Sequence, residues 1–271
     1  MNMTPKDLST DVHEITSPAE QFDSIAGLYD ELMSVVPYDY WVDYLHQILR
    51  RFNHKPTTIL DLCCGTGKVS VLLAEKGYQV TGVDISPEMI EVAKRKPEAR
   101  KGLLDFHVQD ASKLHLGCKF DLVISLFDSL NYITDSSALQ LAFLRVYNHL
   151  KAAGLFIFDM NTELALAGGL FNQNNFGSSS RVLYDWRSTY DPNTRICRID
   201  MNFIYRKGGA ETQTKIVHYQ RAYDEREIVD MLSAAGFEVL AVYNAYTFRH
   251  ANKKSDRAFF VAKKDKVNSC A

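Results

Sequence analysis

One stretch of the chain combines closely spaced glycines with an acidic residue near the end of an apolar run. It reads Ile59-Leu60-Asp61-Leu62-Cys63-Cys64-Gly65-Thr66-Gly67, which predicts a buried strand, a tight turn and the start of a helix. Glycine in such a turn permits left-handed backbone angles and lets a ligand approach the main chain closely. Ligands of open α/β sheets bind beyond the carboxyl ends of the strands, so this turn is the first candidate binding site.

Two further acidic residues stand at the ends of the next two predicted strands. Asp84 lies 17 residues after Gly67, where its carboxylate can accept hydrogen bonds from both hydroxyls of a ribose. Asp110 and Ala111 end the third strand, in a position to contact the amino group of an adenine. A glycine turn followed by acidic strand ends is the layout of a site for a nucleotide-type cofactor.

Two adenosine-containing cofactors use this layout, and two residues discriminate between them. A dinucleotide site requires Gly-x-Gly-x-x-Gly, whose third glycine allows close packing beside the pyrophosphate, but Ser70 occupies that third place. The Asp61 carboxylate disfavours a pyrophosphate and suits a ligand with an ammonium group. S-adenosylmethionine carries an ammonium and a sulfonium and has no phosphate. The residues therefore favour S-adenosylmethionine as the cofactor. The alternative is NAD, which would make the protein an NAD-type Rossmann oxidoreductase.

These side chains need a parallel sheet to position them, and the chain has the pattern for one. Short apolar runs alternate with helical patterns, which predicts an open α/β sheet. Ser86 caps one of these helices, and Pro87 occupies its first position. An amphipathic helix at 37–52 precedes the sheet. The predicted strands are 58–62, 79–83, 105–108, 120–126, 155–158, 239–243 and 258–261.

The section from 162 to 221 breaks this alternation. Three strand-like runs there are separated by turn residues, which predicts an antiparallel β-meander inserted after the fifth strand. We expect a flexible tail at 1–20, a cofactor-binding α/β domain at 21–161 and 222–265, and the 162–221 insert as a lid. In the middle run, Arg198, Asp200 and Asn202 share one face, which either contacts a substrate or is solvated.

The motifs together resemble those of class I S-adenosylmethionine-dependent methyltransferases. Motif I of that family corresponds to Leu60-Asp61-Leu62-Cys63-Cys64-Gly65-Thr66-Gly67, and the ribose acid corresponds to Asp84 in Gly82-Val83-Asp84-Ile85-Ser86-Pro87. Cys63-Cys64 is a departure, because many relatives have Gly or Ala there. The N-terminal Leu28-Tyr29-Asp30 and the insert look like the small-molecule branch. Glycine N-methyltransferase, the sugar-amine N-methyltransferases and a bacterial subgroup of mostly unassigned substrate belong to that branch.

The resemblance implies a Rossmann-like seven-stranded sheet of order 3-2-1-4-5-7-6 with strand 7 antiparallel. It also implies S-adenosyl-L-methionine as cofactor and methyl transfer to a small-molecule acceptor by in-line attack on the sulfonium methyl. N-terminal aromatic residues would close over the methionine end. The residues expected to bind the cofactor are Tyr29, Trp41, Asp61, Cys63, Gly65, Thr66, Gly67, Asp84, Ile85, Met89, Asp110, Ala111 and Leu126. Trp41 also lies on the apolar stripe of the 37–52 helix, so core packing is its alternative role.

The segment after the fourth predicted strand faces the transferable methyl group in this family. It reads Ser125-Leu126-Phe127-Asp128-Ser129-Leu130-Asn131-Tyr132. It lacks the Asn/Asp-Pro-Pro-Tyr and Pro-Cys signatures of enzymes that act on nucleobases, which argues against a nucleic-acid acceptor. The candidates for a catalytic residue are His218, Tyr132 and Tyr29. A non-catalytic protein that binds S-adenosylmethionine without turnover is a second alternative, because the sequence has no clear base.

Charge and composition narrow the class of partner. The chain has 31 Lys and Arg against 33 Asp and Glu, so it lacks the basic excess of a nucleic-acid-binding protein. No apolar run reaches the roughly 20 residues of a membrane helix, and the N-terminus lacks the apolar core of a signal peptide. Five cysteines without a Cys-x-x-Cys pair predict neither a disulfide framework nor a zinc site. We expect a cytoplasmic monomer or homodimer without a metal ion. Its C-terminal basic side chains, Lys253, Lys254, Arg257, Lys263 and Lys264, are expected to be solvated.

Overall fold

The computed structural model describes residues 10–12, 20–176, 181–207 and 210–265. In chain order the strands of these ranges are β1 (Thr10–Val12), β2 (Thr58–Leu62), β3 (Gln79–Asp84), β4 (Leu104–Val108), β5 (Phe120–Ser125), β6 (Leu150–Asn161), β7 (Gln173–Asn174), β8 (Val182–Asp191), β9 (Ile196–Lys207), β10 (Ala210–Arg221), β11 (Phe237–Asn244) and β12 (Arg257–Lys264). The α-helices are α1 (Glu20–Asp23), α2 (Ala26–Leu32), α3 (Tyr38–Arg51), α4 (Lys68–Glu75), α5 (Pro87–Arg95), α6 (Ser136–His149), α7 (Glu163–Ala167) and α8 (Glu225–Ala234). None of the helices in these ranges has the length and apolar character that a membrane span requires.

Seven strands form one sheet in the order β4-β3-β2-β5-β6-β12-β11. The first five are parallel, whereas β12 pairs antiparallel with both β6 and β11. Counted along this domain, the order is 3-2-1-4-5-7-6 with strand 7 antiparallel, so the predicted fold is confirmed. Parallel strands covered by helices on both faces are apolar along their length. This explains why β2 and β5 appear in the sequence as short runs of mostly apolar residues.

Two layers of buried side chains hold the sheet between its helices. On one face, Phe156 of β6 belongs to a cluster with Phe143 of α6. On the other face, Ile124 of β5 clusters with Leu45 of α3 and Leu73 of α4. The helices thus occupy both faces, and the carboxyl ends of the parallel strands are left to bind ligands.

A second sheet has the order β1-β10-β9-β8-β7. Its strands β8, β9 and β10 are the antiparallel meander predicted after the fifth strand of the main sheet. Its inner face, which includes Ile199 and Phe203, packs with Ile25 between α1 and α2. The three residues of β1 pair in parallel with β10, and they belong to the segment expected to be a tail.

The outer face of the second sheet is polar and solvated. Arg198 and Asp200 pair at 2.6 Å with about half of each side chain exposed, and Gln213 donates to Asn202 at 2.7 Å. These exposures agree with a solvated face, and contact with a substrate stays a prediction.

The structure corrects the expectation that two C-terminal basic side chains are solvated. Lys264 is buried and donates to the carbonyls of Tyr147 and Leu150 at 2.6 and 3.1 Å. Arg257 lies between the carboxylates of Asp128 and Asp159. Burial of a cation is tolerated when its N–H groups find acceptors or carboxylate partners, and each of these side chains has found them.

Candidate functional site

The turn between β2 and α4 is tight because three of its residues have left-handed backbone angles. The φ angles are +59° at Cys63, +54° at Gly65 and +74° at Gly67. A Cβ atom at Gly67 would lie 2.7 Å from the Phe106 ring, so glycine is required there. A Cβ atom at Gly65 would meet nothing within 4 Å. The turn therefore packs against the sheet at Gly67 and leaves room for a ligand at Gly65.

The Asp84 carboxylate, at the end of β3, faces the same turn. It accepts hydrogen bonds from the backbone N–H groups of Gly65 at 2.8 Å and Ser86 at 3.0 Å. The residue is 8% exposed. Burial raises the pKa of Asp84, and the amide donors oppose that shift. Each carboxylate oxygen has room for a second hydrogen bond, so Asp84 can hold the turn and still receive the hydroxyls of a ribose.

Asp61 of β2 is buried and accepts a hydrogen bond from the Ser70 hydroxyl at 2.6 Å. Burial, with a smaller contribution from the Asp84 carboxylate, raises the pKa of Asp61 to about 7. An arriving cation favours the ionised form of such a carboxyl group. Ser70, which replaces the third glycine of a dinucleotide site, thus has a role of its own as the partner of Asp61.

The Asp110 carboxylate closes the loop that follows β4. One oxygen accepts hydrogen bonds from the backbone N–H and the hydroxyl of Ser112, both at 2.8 Å. This caps the short 3-10 turn Ala111–Lys113, in which Ala111 is buried. The other oxygen lies 3.5 Å from the ammonium of Lys113. Asp110 therefore shapes the loop in addition to any contact with a ligand.

The other candidate cofactor residues differ in exposure. Ile85, like Cys63, is partly exposed at a strand end. Met89, Leu126 and Trp41 are buried. The Trp41 ring stacks on Phe127 with centroids 3.9 Å apart. Trp41 therefore packs in the core, where it supports the residue that follows Leu126.

Polar contacts join α1 and α2, which we call the N-terminal lid (residues 20–32), to the glycine turn. Asp30 accepts a hydrogen bond from the Thr66 hydroxyl at 2.5 Å and pairs with Lys96 at 2.9 Å. Lys96 also donates to the Thr66 carbonyl at 2.7 Å. Ser86 donates to Asp23 at 2.5 Å. The sequence analysis missed these contacts, because residues so distant along the chain show no common spacing.

The three candidate catalytic residues lie together, with Tyr29 on the lid itself and Tyr132 and His218 beside it. The Tyr132 hydroxyl is 3.4 Å from Nδ1 of His218. The ring of Phe22, on α1, packs against Tyr132 and His218 with centroids 4.9 and 4.7 Å away. Tyr29, on α2, contacts the same ring at 6.4 Å. The lid and the end of β10 thus form one aromatic cluster.

His218 is buried and neutral at physiological pH. Its Nε2 contacts the carbonyl of Gln21, which assigns the ring proton to Nε2 and leaves Nδ1 as an acceptor. Burial lowers the pKa of His218 to about 4. A neutral imidazole with an unprotonated Nδ1 can accept a hydrogen bond from Tyr132 or a proton from a ligand in its place.

A buried polar network that the sequence analysis missed lies near the aromatic cluster. Asp159, near the end of β6, accepts hydrogen bonds from the backbone N–H groups of Phe127 and Asp128 at 2.8 and 3.0 Å. Arg257, at the start of β12, contacts both Asp159 and Asp128. Gln220 of β10 donates to Asp128 at 2.6 Å. The sequence held one signal for this network: Asp159 directly follows a predicted strand, and Arg257 directly precedes one.

A seven-stranded sheet with antiparallel β12 and a glycine turn after β2 is the architecture of a class I methyltransferase. A family model described as a methyltransferase domain matches residues 59–154. The YqeM protein of Bacillus subtilis (strain 168), which is classed with the methyltransferases, is 33% identical over 248 residues, or 91% of this chain and 98% of that protein. The chain belongs to the S-adenosylmethionine-dependent methyltransferases, and its cofactor is S-adenosyl-L-methionine.

Solved structures agree with this assignment. An S-adenosylmethionine-dependent methyltransferase from Clostridium acetobutylicum ATCC 824 is similar with a TM-score of 0.79 and 30% identity, over 90% of this chain and 99% of that chain. The sugar N-methyltransferase KedS8 from Streptoalloteichus sp ATCC 53650 has a TM-score of 0.74 over 98% of this chain and all of its own. At an identity of 19%, this structural similarity shows a shared fold alone.

Replacement of Asp84 by asparagine keeps the size of the side chain and removes its charge. A hydrogen bond to a charged group contributes about 1.5–3 kcal/mol, so we expect Asp84→Asn to bind S-adenosylhomocysteine about 10–150-fold more weakly. Titration calorimetry measures this change. Asp105→Asn, which alters an exposed acid on β4, is the matched control and should bind like the wild type. An unchanged dissociation constant for Asp84→Asn would remove Asp84 from the site.

The raised pKa of Asp61 predicts a pH-dependent stability. Between pH 3.8, the ordinary pKa of an aspartic acid, and about pH 7, the folded state holds a proton on Asp61 that the unfolded state has lost. Stability from this group therefore falls as the pH rises through that window. Asp61→Asn should remove the fall, so its melting temperature should increase relative to wild type from pH 4 to pH 7. A difference that is constant with pH would contradict this assignment.

The contacts of Asp30 predict a faster release of the cofactor when they are removed. Partly exposed ion pairs contribute about 0–1 kcal/mol, so Asp30→Asn should raise the dissociation rate of S-adenosylhomocysteine up to about fivefold. Stopped-flow displacement measures this rate. Glu31→Gln, which changes the exposed neighbour on α2, is the control. Equal rates in the two variants would show that Asp30 does not hold the lid.

Proposed function

We propose that the protein transfers the methyl group of S-adenosylmethionine to a small-molecule acceptor by in-line attack on the sulfonium methyl. The observation that supports this most is the enclosure of the site. One lid contacts the glycine turn through Asp30 and packs on Tyr132 and His218 through Phe22. An enclosed apolar site excludes water from a reactive sulfonium. An acceptor that fits beneath such a lid has to be small.

The residues present fit the cofactor. The open space at Gly65 admits its adenosine, the Asp84 carboxylate can receive the ribose hydroxyls, and the Asp61 carboxylate can pair with the α-ammonium. We assign the adenine to the loop of Asp110 and Ala111. The other residues that we assign to lining or supporting this site are Tyr29, Trp41, Cys63, Thr66, Gly67, Ile85, Met89 and Leu126. The cofactor supplies an electrophilic methyl group, so the protein mainly orients the reactants and removes water.

We assign the acceptor to the space near Tyr29, Tyr132 and His218. Burial raises the pKa of both tyrosines well above the usual range, so their hydroxyls stay protonated and act as hydrogen-bond donors. His218 then remains as the candidate base, through Nδ1. An amine with a free lone pair needs little help from it, whereas a hydroxyl acceptor needs its proton removed.

The insert at 162–221 is proposed as the second wall of the acceptor site. Its inner face packs on the lid helices, and His218 and Gln220 reach from β10 toward the aromatic cluster and the polar network. KedS8, which acts on a sugar amine according to its name, has the same fold. That likeness supports a metabolite-sized acceptor.

Binding selectivity tests the cofactor half of this proposal. S-adenosylmethionine and S-adenosylhomocysteine should bind to the purified protein, whereas NAD should bind far more weakly, because Ser70 replaces the third glycine and Asp61 repels a pyrophosphate. Titration calorimetry with the three ligands makes the comparison. Tighter binding of NAD would overturn the proposal.

A transfer assay tests the acceptor half. The protein is incubated with methyl-labelled S-adenosylmethionine and either the ultrafiltrate or the macromolecular fraction of a bacterial extract. Label should enter the ultrafiltrate and not the macromolecules, and Asp84→Asn should reduce this transfer about 5–75-fold at cofactor concentrations near the wild-type dissociation constant. Label only in nucleic acid or protein would overturn a small-molecule acceptor, and tight binding with no transfer in either fraction would favour a non-catalytic binding protein.

A further inference from the structure

The turn after β5 has a conformation that its own sequence does not favour. Phe127 and Asp128 have consecutive left-handed φ angles of +65° and +49°. Such angles are uncommon outside glycine and are rarer still in a bulky residue. Both backbone N–H groups point at Asp159 and donate to its two carboxylate oxygens. Asp159 therefore fixes the direction in which the Asp128 side chain leaves the main chain.

The charges around Asp128 do not cancel. Among the ion pairs of the described residues, Arg257 is the one cation that contacts Asp128 and Asp159. By formal charge, two acidic side chains face one guanidinium, so one negative charge is in excess. Burial raises the pKa of Asp159 to about 6, which is still below neutral pH. The hydrogen bonds from Arg257 and Gln220 use one position on each oxygen of Asp128. A carboxylate has about four such positions, so Asp128 can accept further N–H groups.

Asp128 also lies where the proposed reaction would take place. It follows β5, which pairs with β2 and therefore ends beside the glycine turn. Tyr29 reaches toward both acids, because the Asp128 and Asp84 carboxylates each contribute to raising the pKa of its hydroxyl. The side chain is nearly buried, which strengthens its interaction with a charge.

We propose that the Asp128 carboxylate recognises the nitrogen of an amine acceptor, which makes the protein an N-methyltransferase; this rests on the proposed function. An amine arrives as an ammonium, attracted by the excess negative charge, and loses one proton to solvent before the site is enclosed. Its lone pair forms the N–C bond while the C–S bond breaks and its electron pair stays on sulfur. The product is a methylated ammonium, which donates its remaining N–H to Asp128 until it leaves. Asp128 thus determines specificity, and Asp159 with Arg257 positions it.

Sinefungin tests this inference without knowledge of the acceptor. This analogue of S-adenosylhomocysteine carries an ammonium where the transferable methyl group lies, so it places a cation next to Asp128. The wild type should bind sinefungin about tenfold or more tightly than S-adenosylhomocysteine, as expected for a hydrogen bond between charged groups. In Asp128→Asn this preference should fall to about twofold or less. Asp200→Asn, on the solvated face of β9, is the matched control and should keep the preference.

The outcomes separate the two proposals. If neither ligand binds to the wild type, the proposed function fails. If S-adenosylhomocysteine binds and the wild type shows no preference for sinefungin, or Asp128→Asn retains it, the role of Asp128 fails alone. Thermal melting shows whether Asp128→Asn folds. If Asp128→Asn does not fold, two other results decide: the preference of the wild type and that of Asp128→Glu, which keeps the charge. A folded Glu variant should retain a preference for sinefungin of at least threefold. If neither the wild type nor the Glu variant prefers sinefungin, the inference is overturned.

Discussion

The Arg257 guanidinium, whose side chain is 18% exposed, connects the parts of the chain that form the site. Arg257 pairs with Asp159 and Asp128, so it joins β12 to β6 and to the turn after β5, and Gln220 extends the connection to the insert. Loss of one partner from such a group leaves an uncompensated buried charge, which costs about 3–5 kcal/mol. The left-handed turn at Phe127 and Asp128, which its local sequence does not favour, is held by the two backbone N–H groups that donate to Asp159.

The site is assembled from three units that contact one another in pairs. The α/β domain contributes the glycine turn and Asp84, the lid covers them through Asp30, and the insert carries His218 to the aromatic ring of Phe22. Because the lid packs on both of the other units, a change in its position alters the cofactor end and the acceptor end together. In the proposed reaction, cofactor binding and acceptor enclosure would therefore be coupled through the contacts of the lid.

The features that the sequence predicted are those that depend on residues close together along the chain. The strands of the main sheet and the glycine turn follow from local patterns of apolar residues and glycines, whereas the strand order followed from the resemblance to class I methyltransferases. The structure has all three. Pairings between distant residues leave no such pattern. Asp159 and Arg257 are 98 residues apart, and a basic residue near the C-terminus gives no sign of a buried partner. Ser70 was interpreted only as a missing glycine, because its hydrogen bond to Asp61 crosses from a helix to a strand.

The short strand β1 changes the mechanical character of the lid. It pairs with β10 through three residues on the N-terminal side of α1, while α3, on the C-terminal side of α2, is buried in the core. A lid with one free end opens by rotating about its fixed end. A lid anchored at both ends opens by bending outward or by moving together with one of its anchors. One anchor here is the insert sheet. Access to the glycine turn would then depend on the insert sheet to which β1 is paired, as well as on the lid itself.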